Sequence, residues 1–273
     1  MYSSGPIGSL LAHEVHLVVT GIPAASLILV TATLAAAPAA LAQSAPEDQW
    51  HYLVEPYVML PHVDGTVSLG NLPDVSVHAS PGDIFSHLQF AAMLYAEAHD
   101  NNWAITSDLI YSRVAQNASV GPVISYGRVD LRTLLWEPAL LYRVTPWLQA
   151  GAGADLTAVQ TNLNLTINTP LAPLSASRSR SNSWLDPTVI LRGTWPLAQK
   201  WSLMAQGNVG GFGVNSRSTW QAQLYAIYRP TELLSLSFGY RAIGDDYDRG
   251  SGPERFIYNT TTFGPVIRFG FNF

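Results

Sequence analysis

The sequence contains no cysteine, which excludes disulfides, thiolate metal sites and a cysteine nucleophile. Lysine is almost missing too, with Lys200 alone against 13 arginines. Charged residues fill 12% of the 273 positions, whereas a soluble domain carries about 25%. A water-exposed surface normally needs more charge of both signs. The net charge of −5 and the lack of any basic block argue against a nucleic-acid partner. Beyond residue 42 no apolar run approaches the ~18 residues of a membrane-spanning helix. Nevertheless 48% of the residues are hydrophobic, so the apolar surface must be distributed with another period.

The first 42 residues read as an export signal and are set apart from the fold. Ser26–Ala37 is an apolar core, and Ala40-Leu41-Ala42 before Gln43 is a small-x-small cleavage site. Only His13 and His16 stand where positive charge is usual. A membrane-anchoring helix is the competing reading; the run is shorter than a span of ~20 residues, and Pro38 follows it. Residues 43–49 then form a short periplasmic segment, and 50–273 one β-barrel domain.

From Trp50 onward the apolar residues alternate with a period of two, the signature of strands. The pattern predicts strands over 50–60, 87–98, 103–114, 129–144, 147–162, 184–197, 201–213, 218–229, 234–244 and 257–273. Tight turns at 99–102, 145–146, 198–200 and 230–233 alternate with connections rich in Ser, Asn, Gly and Pro at 61–86, 115–128, 163–183, 214–217 and 245–256. Short periplasmic turns alternating with longer external loops mark a closed up-and-down barrel in an outer membrane. The expected fold is therefore an all-β, closed, antiparallel transmembrane barrel of about ten strands, with 8 or 12 as alternatives. Twelve would follow if 65–69 and 74–78 formed an extra hairpin; lengthening of the first two strands is the preferred reading.

Alternation alone does not say whether the apolar face points inward, as in a soluble barrel, or outward into lipid. Trp103, Trp147, Trp195 and Trp201 lie beside the tight turns, where a membrane-interface belt belongs, and Trp184 and Trp220 lie near the opposite ends. The apolar parity is smooth in Leu148, Ala150, Ala152, Ala154 and Leu156, and again in Leu234, Leu236, Phe238 and Tyr240. The opposite parity is small, polar and sparsely charged. These features place the apolar face in lipid.

The interior would then hold Glu55, Glu97, Asp108, Glu137, Asp155 and Asp186 with Arg143, Arg192, Arg229, Arg241 and Arg268. A ten-strand bore is narrow, and charges withdrawn from water are costly unless paired. Interlocked Arg–carboxylate bridges plugging the barrel are the structural expectation; a narrow passive channel for small solutes is the functional one. Gly151, Gly153 and Gly239 on the inner face are expected to make room for the arginines.

The chain ends on Phe269, Phe271 and Phe273 at alternate positions, similar to the assembly signal of bacterial outer-membrane β-barrel proteins. More closely, Ser80–Leu88, Trp103–Tyr111, Gly210–Gly213 before Thr219-Trp220, and Gly239-Tyr240-Arg241 resemble a group of outer-membrane barrels with no established activity. The resemblance covers most of 50–273. It implies a fold, an outer-membrane location and the barrel-assembly machinery as a partner of the last strand, but no site residues.

No enzymatic activity, catalytic residue, cofactor or metal is expected. Ten-strand barrels resemble the outer-membrane proteases, whose rims carry Asp–Asp and Asp–His pairs. Here His62 with Asp64, and Asp245, Asp246 and Asp248, supply the residue types without the spacing. The same aspartates lack the glycine and terminal Glu of a calcium loop. Ser86-His87 and His99-Asp100 lack a third group for lipid deacylation. Gly207–Gly213 precedes a strand pattern, not the helix a phosphate loop needs. A loop-mediated adhesin using 61–86 and 163–183 is a further alternative. Partners are outer-membrane lipid and lipopolysaccharide, the latter through Arg178 and Arg180.

Overall fold

A computed structural model describes residues 49–273 except 71–73, 119–123 and 169–172. The signal and cleavage assignments fall outside the described residues. The elements are β1 (His51–Met59), β2 (His62–Leu69), β3 (Val75–Ala79), α1 (Pro81–His87), β4 (Leu88–His99), β5 (Trp103–Ala118), β6 (Ile124–Thr145), β7 (Leu148–Asn168), β8 (Pro173–Ala198), β9 (Trp201–Gly210), β10 (Ser218–Tyr228), β11 (Leu234–Arg249) and β12 (Phe256–Asn272).

Ten of these strands, β1 and β4 to β12, form an antiparallel barrel that closes where Leu53 faces Asn272 and Met59 faces Val266. Closure leaves this ring without an edge, so its ladder satisfies the backbone polar groups without water. The tight turns lie at one rim. Asp100 accepts from Trp103 N at 2.6 Å and Asn102 N at 2.7 Å, and these bonds hold its carboxyl below the usual carboxylate range.

Both readings of the 61–86 region need amendment. Pro61 interrupts the first strand, but β2 continues alongside β12, from His62 opposite Phe263 to Leu69 opposite Phe256. Segment 74–78 does not lengthen β4. It folds back on β2 as β3, with Val67 opposite Val75, making the extra hairpin and a twelve-strand sheet around a ten-strand barrel. Between β3 and β4 lies α1, which starts on a reciprocal capping box of Ser80 and Asp83 with Pro81 in its first turn.

The supposed loops 115–128, 163–183 and 245–256 are also corrected: most of the first two and half of the third is strand. β7 and β8 stay paired from Leu148 opposite Gly193 to Asn168 opposite Pro173. Their Ser and Asn residues make cross-strand bonds instead of turns, Ser179 Oγ to Asn162 Oδ1 at 2.6 Å and Ser177 Oγ to Asn164 Oδ1 at 2.7 Å. The expected strand 201–213 instead stops at Gly210, because Gly211, Phe212 and Gly213 turn with positive φ.

Outward positions along the membrane segments are apolar and exposed: Leu140 and Tyr142, Val189 and Leu191, Leu224, Phe238, Ile267, Phe269 and Phe271. Trp103 packs edge-on to Tyr142, Trp147 stacks with Trp195, and Trp201 lies against Tyr228, forming a girdle at the tight-turn rim. Trp220 faces out at the other end, where its ring occupies the space a side chain at Gly244 would need. Trp184 is a correction. It is 4% exposed and stacks on Tyr247 at 4.2 Å inside the barrel, because it shares the inward parity of Asp186. A closed barrel with an apolar outer band, aromatic girdles and a polar interior makes this an integral outer-membrane β-barrel.

The inner-face glycines do not make room for arginine. A side chain at Gly151 would meet the Leu140 carbonyl and Leu141, at Gly153 the Pro138 carbonyl and Ala139, and at Gly239 the Leu224 carbonyl and the Tyr225 ring. They permit close approach of neighbouring strands where the wall curves. Gly239→Ala is therefore expected to cost about 1–3 kcal/mol through forced backbone shifts. A denaturation midpoint equal to wild type in detergent would contradict this.

Candidate functional site

The charged interior follows from register. Along one ladder row Glu55 of β1 faces Tyr95 of β4, Tyr95 faces Asp108 of β5, and Asp108 faces Glu137 of β6. Pro138 interrupts the β6–β7 ladder, but the flanking pairs Trp136–Leu156 and Ala139–Gly153 set Glu137 opposite Asp155. Asp155 faces Asp186 of β8. A second row runs Arg143, Gln149, Arg192, Gln206, Gln223, Arg241 across β6 to β11. On β6, β7 and β8 the two rows are six residues apart, roughly 20 Å along a strand. Tilted strands make each row climb around the barrel, so acids of one wall meet bases of the opposite wall.

Three buried arginines cross the bore. Arg192 reaches Glu97 at 2.5 Å, donates to Tyr95 Oη at 2.8 Å and to Gln149 Oε1 at 2.7 Å. Arg241 lies 3.0 Å from Asp108 and donates to Tyr57 Oη at 2.8 Å and to Gln221; Tyr57 in turn donates to Asp108 at 2.6 Å. Arg268 stands 3.5 Å from Glu55 and 3.6 Å from Asp108, and donates to Gln223 and Tyr225, each at 3.1 Å. Its guanidinium lies over the rings of Tyr225, Tyr95 and Tyr57 at 4.4, 4.9 and 5.0 Å. This tyrosine cage was not read from the sequence; the inward parity of Tyr57, Tyr95 and Tyr225 was the available signal.

Towards the looped end a cavity of about 30 Å³ is lined by Glu137, Asp155, Asp245, Thr219, Gln221 and Arg241 among others. Glu137 accepts from Asn208 and Gln221, and Asp155 accepts from Thr219 at 3.3 Å. Asp186 accepts from the backbone of Ser216 at 3.0 Å and Asn215 at 3.2 Å. Farther out Trp184, Tyr247, Phe256 and Val159 form a buried cluster, with Tyr258 packed on it. Paired charge thus fills one part of the bore and packed aromatics another.

The remaining candidates do not converge on this site. Arg229 is exposed beside a tight turn and Arg143 is half-buried at the same rim. Neither is within ion-pair distance of a carboxylate among the described residues. The Arg178 side chain lies outside what is described. Arg180 is not in a loop: it turns inward and donates to the carbonyls of Pro253 and Glu254 at 3.1 and 2.8 Å.

The rim constellations are also rearranged. His62 stacks on Phe263, and Asp64 pairs with His78 at 2.8 Å, both well exposed. Asp245 is buried inside, whereas Asp248 pairs with Arg217 outside at 3.1 Å. Ser86 and His87 lie on α1, not on a strand, with Ser86 Oγ 2.9 Å from His87 Nδ1. That same nitrogen faces the Asp83 carbonyl at 2.8 Å, and a Nδ1–H donated there cannot also act as a base. His99 lies 3.2 Å from Glu97, not against Asp100.

No protein-family model and no curated protein sequence matches the chain. Solved structures similar to it include the outer membrane protease OmpT from Escherichia coli, at 9% identity over 85% of this chain and 99% of that one, TM-score 0.48. Another is the attachment invasion locus protein Ail of Yersinia pestis in complex with the heparin analogue sucrose octasulfate, 10% identical over 82% and 98%, TM-score 0.36. The P. putida toluene transporter TodX is 10% identical over 84% and 91%, TM-score 0.36.

Proposed function

We propose that this outer-membrane barrel is a structural, non-catalytic element whose lumen is closed to solutes. The observation that carries this reading is the set of three arginines spanning the bore, Arg192 to Glu97, Arg241 to Asp108, and Arg268 to Asp108. A passing solute would have to displace buried, charge-assisted bonds at successive levels. Each unpaired charge left behind would carry a desolvation cost of several kcal/mol. The 30 Å³ cavity above them holds water-sized occupants and no larger solute. The catalytic alternatives lose support because Asp245 lies inside, Asp248 outside and Ser86–His87 on α1, and Asp64 pairs with His78 and not with His62.

The test is single-channel recording of the purified protein in planar bilayers. The wild-type barrel is expected to give no steps above background. Removing one matched pair, Arg192→Ser with Glu97→Ser, avoids a stranded charge and is expected to leave the barrel silent, because Arg241 and Arg268 still reach Asp108 across the bore. Reproducible wild-type conductance would reject the closed-lumen reading and restore the narrow channel.

A further inference from the structure

The outer wall inverts its polarity as β5 and β6 leave the membrane. Outward positions of β6 read Leu140, Trp136 and Leu134 within the band, then Arg132, Asp130 and Arg128. The unbroken β5–β6 register, Leu109 opposite Trp136 and Ala115 opposite Asp130, keeps all of these on one face. Just above the band Arg113 lies directly opposite Arg132. Like charges paired across strands destabilise a sheet, and buried Asp130 is the anion between them. It bonds Arg113 Nη2 at 2.5 Å and stands 3.5 Å from Arg132 Nε.

One carboxylate cannot neutralise two guanidiniums. The Arg132 Nε is buried without a hydrogen-bond partner among the described residues, while about 40% of the side chain stays exposed. Gln160 of β7 faces Arg132, and Asn162 faces Asp130, so neutral donors flank the arginines on the same outer face. Phe90, whose ring lies 5.9 Å from that of Tyr111, is exposed beside Arg113 at the top of the band.

We infer that the Arg113–Arg132 pair is a docking site for the phosphate of a phosphorylated lipid headgroup in the outer leaflet. Guanidiniums bind phosphate through paired, charge-assisted bonds, and here a second anion completes a site that has two cations and one carboxylate. The choice of a lipid over free phosphate rests on position. Arg132 is two residues beyond Leu134 and four beyond Trp136, roughly 7 and 13 Å along the strand, so acyl chains fit below the headgroup. This site is independent of the closed lumen. It takes the place of Arg180 as a lipopolysaccharide contact, since Arg180 is engaged inside.

Native mass spectrometry of the full barrel in detergent tests the assignment, with bis-phosphorylated lipid A, its dephosphorylated counterpart and inorganic phosphate as probes. Retention of lipid A is expected to exceed that of the dephosphorylated form about tenfold, which corresponds to one charge-assisted interaction. Arg132→Gln keeps the Arg113–Asp130 pair and is expected to abolish that preference. Asp130→Asn removes the competing anion and is expected to tighten binding, whereas a merely structural role would loosen it. Equal retention of both lipids, an unchanged preference in Arg132→Gln, weaker binding in Asp130→Asn, or displacement of lipid A by millimolar inorganic phosphate would each overturn the proposal.

Discussion

Replacing Arg268 with alanine is expected to destabilise the barrel by about 3–5 kcal/mol, the cost of stranding a buried partner charge. Arg268 is 1% exposed, and it faces Glu55, which is 5% exposed. Asp108 would retain Arg241 at 3.0 Å, but Glu55 would lose its ion-pair partner. The cage adds to this loss, since each desolvated cation–π contact contributes about 0.5–2 kcal/mol, and Tyr57, Tyr95 and Tyr225 all face the guanidinium. The cost is tied to charge and not only to volume. Arg268→Met combined with Glu55→Gln is therefore expected to be more stable than Arg268→Ala alone. Guanidinium unfolding of the detergent-solubilised protein measures both. A shift below about 1 kcal/mol for the single variant, or strict additivity in the double, would show that the lattice is not a source of stability.

Parity was the legible part of this molecule. The closing strand shows it best: Ile267 and Phe269 face lipid while Arg268 between them turns inward, an arrangement readable from spacing alone. The same rule would have placed Trp184 correctly, since it shares parity with Asp186 and Arg192. Its proximity to a strand end was a weaker signal than its parity. The strand extensions were illegible for a physical reason. Above the membrane the outward face is wetted, so Ser, Asn and Arg replace Leu and Trp, and the lipid-facing alternation that marks a strand disappears. Ser177, Ser179, Asn162 and Asn164 therefore read as loop while forming a ladder. Pairings across the bore were equally hidden. Arg192 of β8 and Glu97 of β4 are 95 residues apart, and only closure and stagger decide which inward residues meet.

Leu224→Arg is the substitution that separates a lipid-facing from a water-facing outer wall. Leu224 is exposed on β10 midway between Trp220 and Tyr228, four residues from each. Eight residues span about 26 Å along the strand, which a tilt near 40° reduces to ~20 Å of height, close to the apolar band of such barrels. An arginine at Leu224 would therefore sit near the bilayer midplane and is expected to cost about 2–4 kcal/mol, falling to about 0–1 near an interface. Ser218 has the same outward parity, lies two residues beyond Trp220 and is also exposed. Ser218→Arg is expected to fall in the lower range, although both variants add the same side chain to the same face of the same strand. In lipid vesicles, reversible unfolding should show the difference; in detergent, which wets the wall more evenly, it should shrink. Equal costs for both variants in vesicles would remove the band from this position and with it the depth assigned to Arg113 and Arg132. A large cost at Leu224 with little at Ser218 would fix the membrane boundary between them, because depth is the variable that differs.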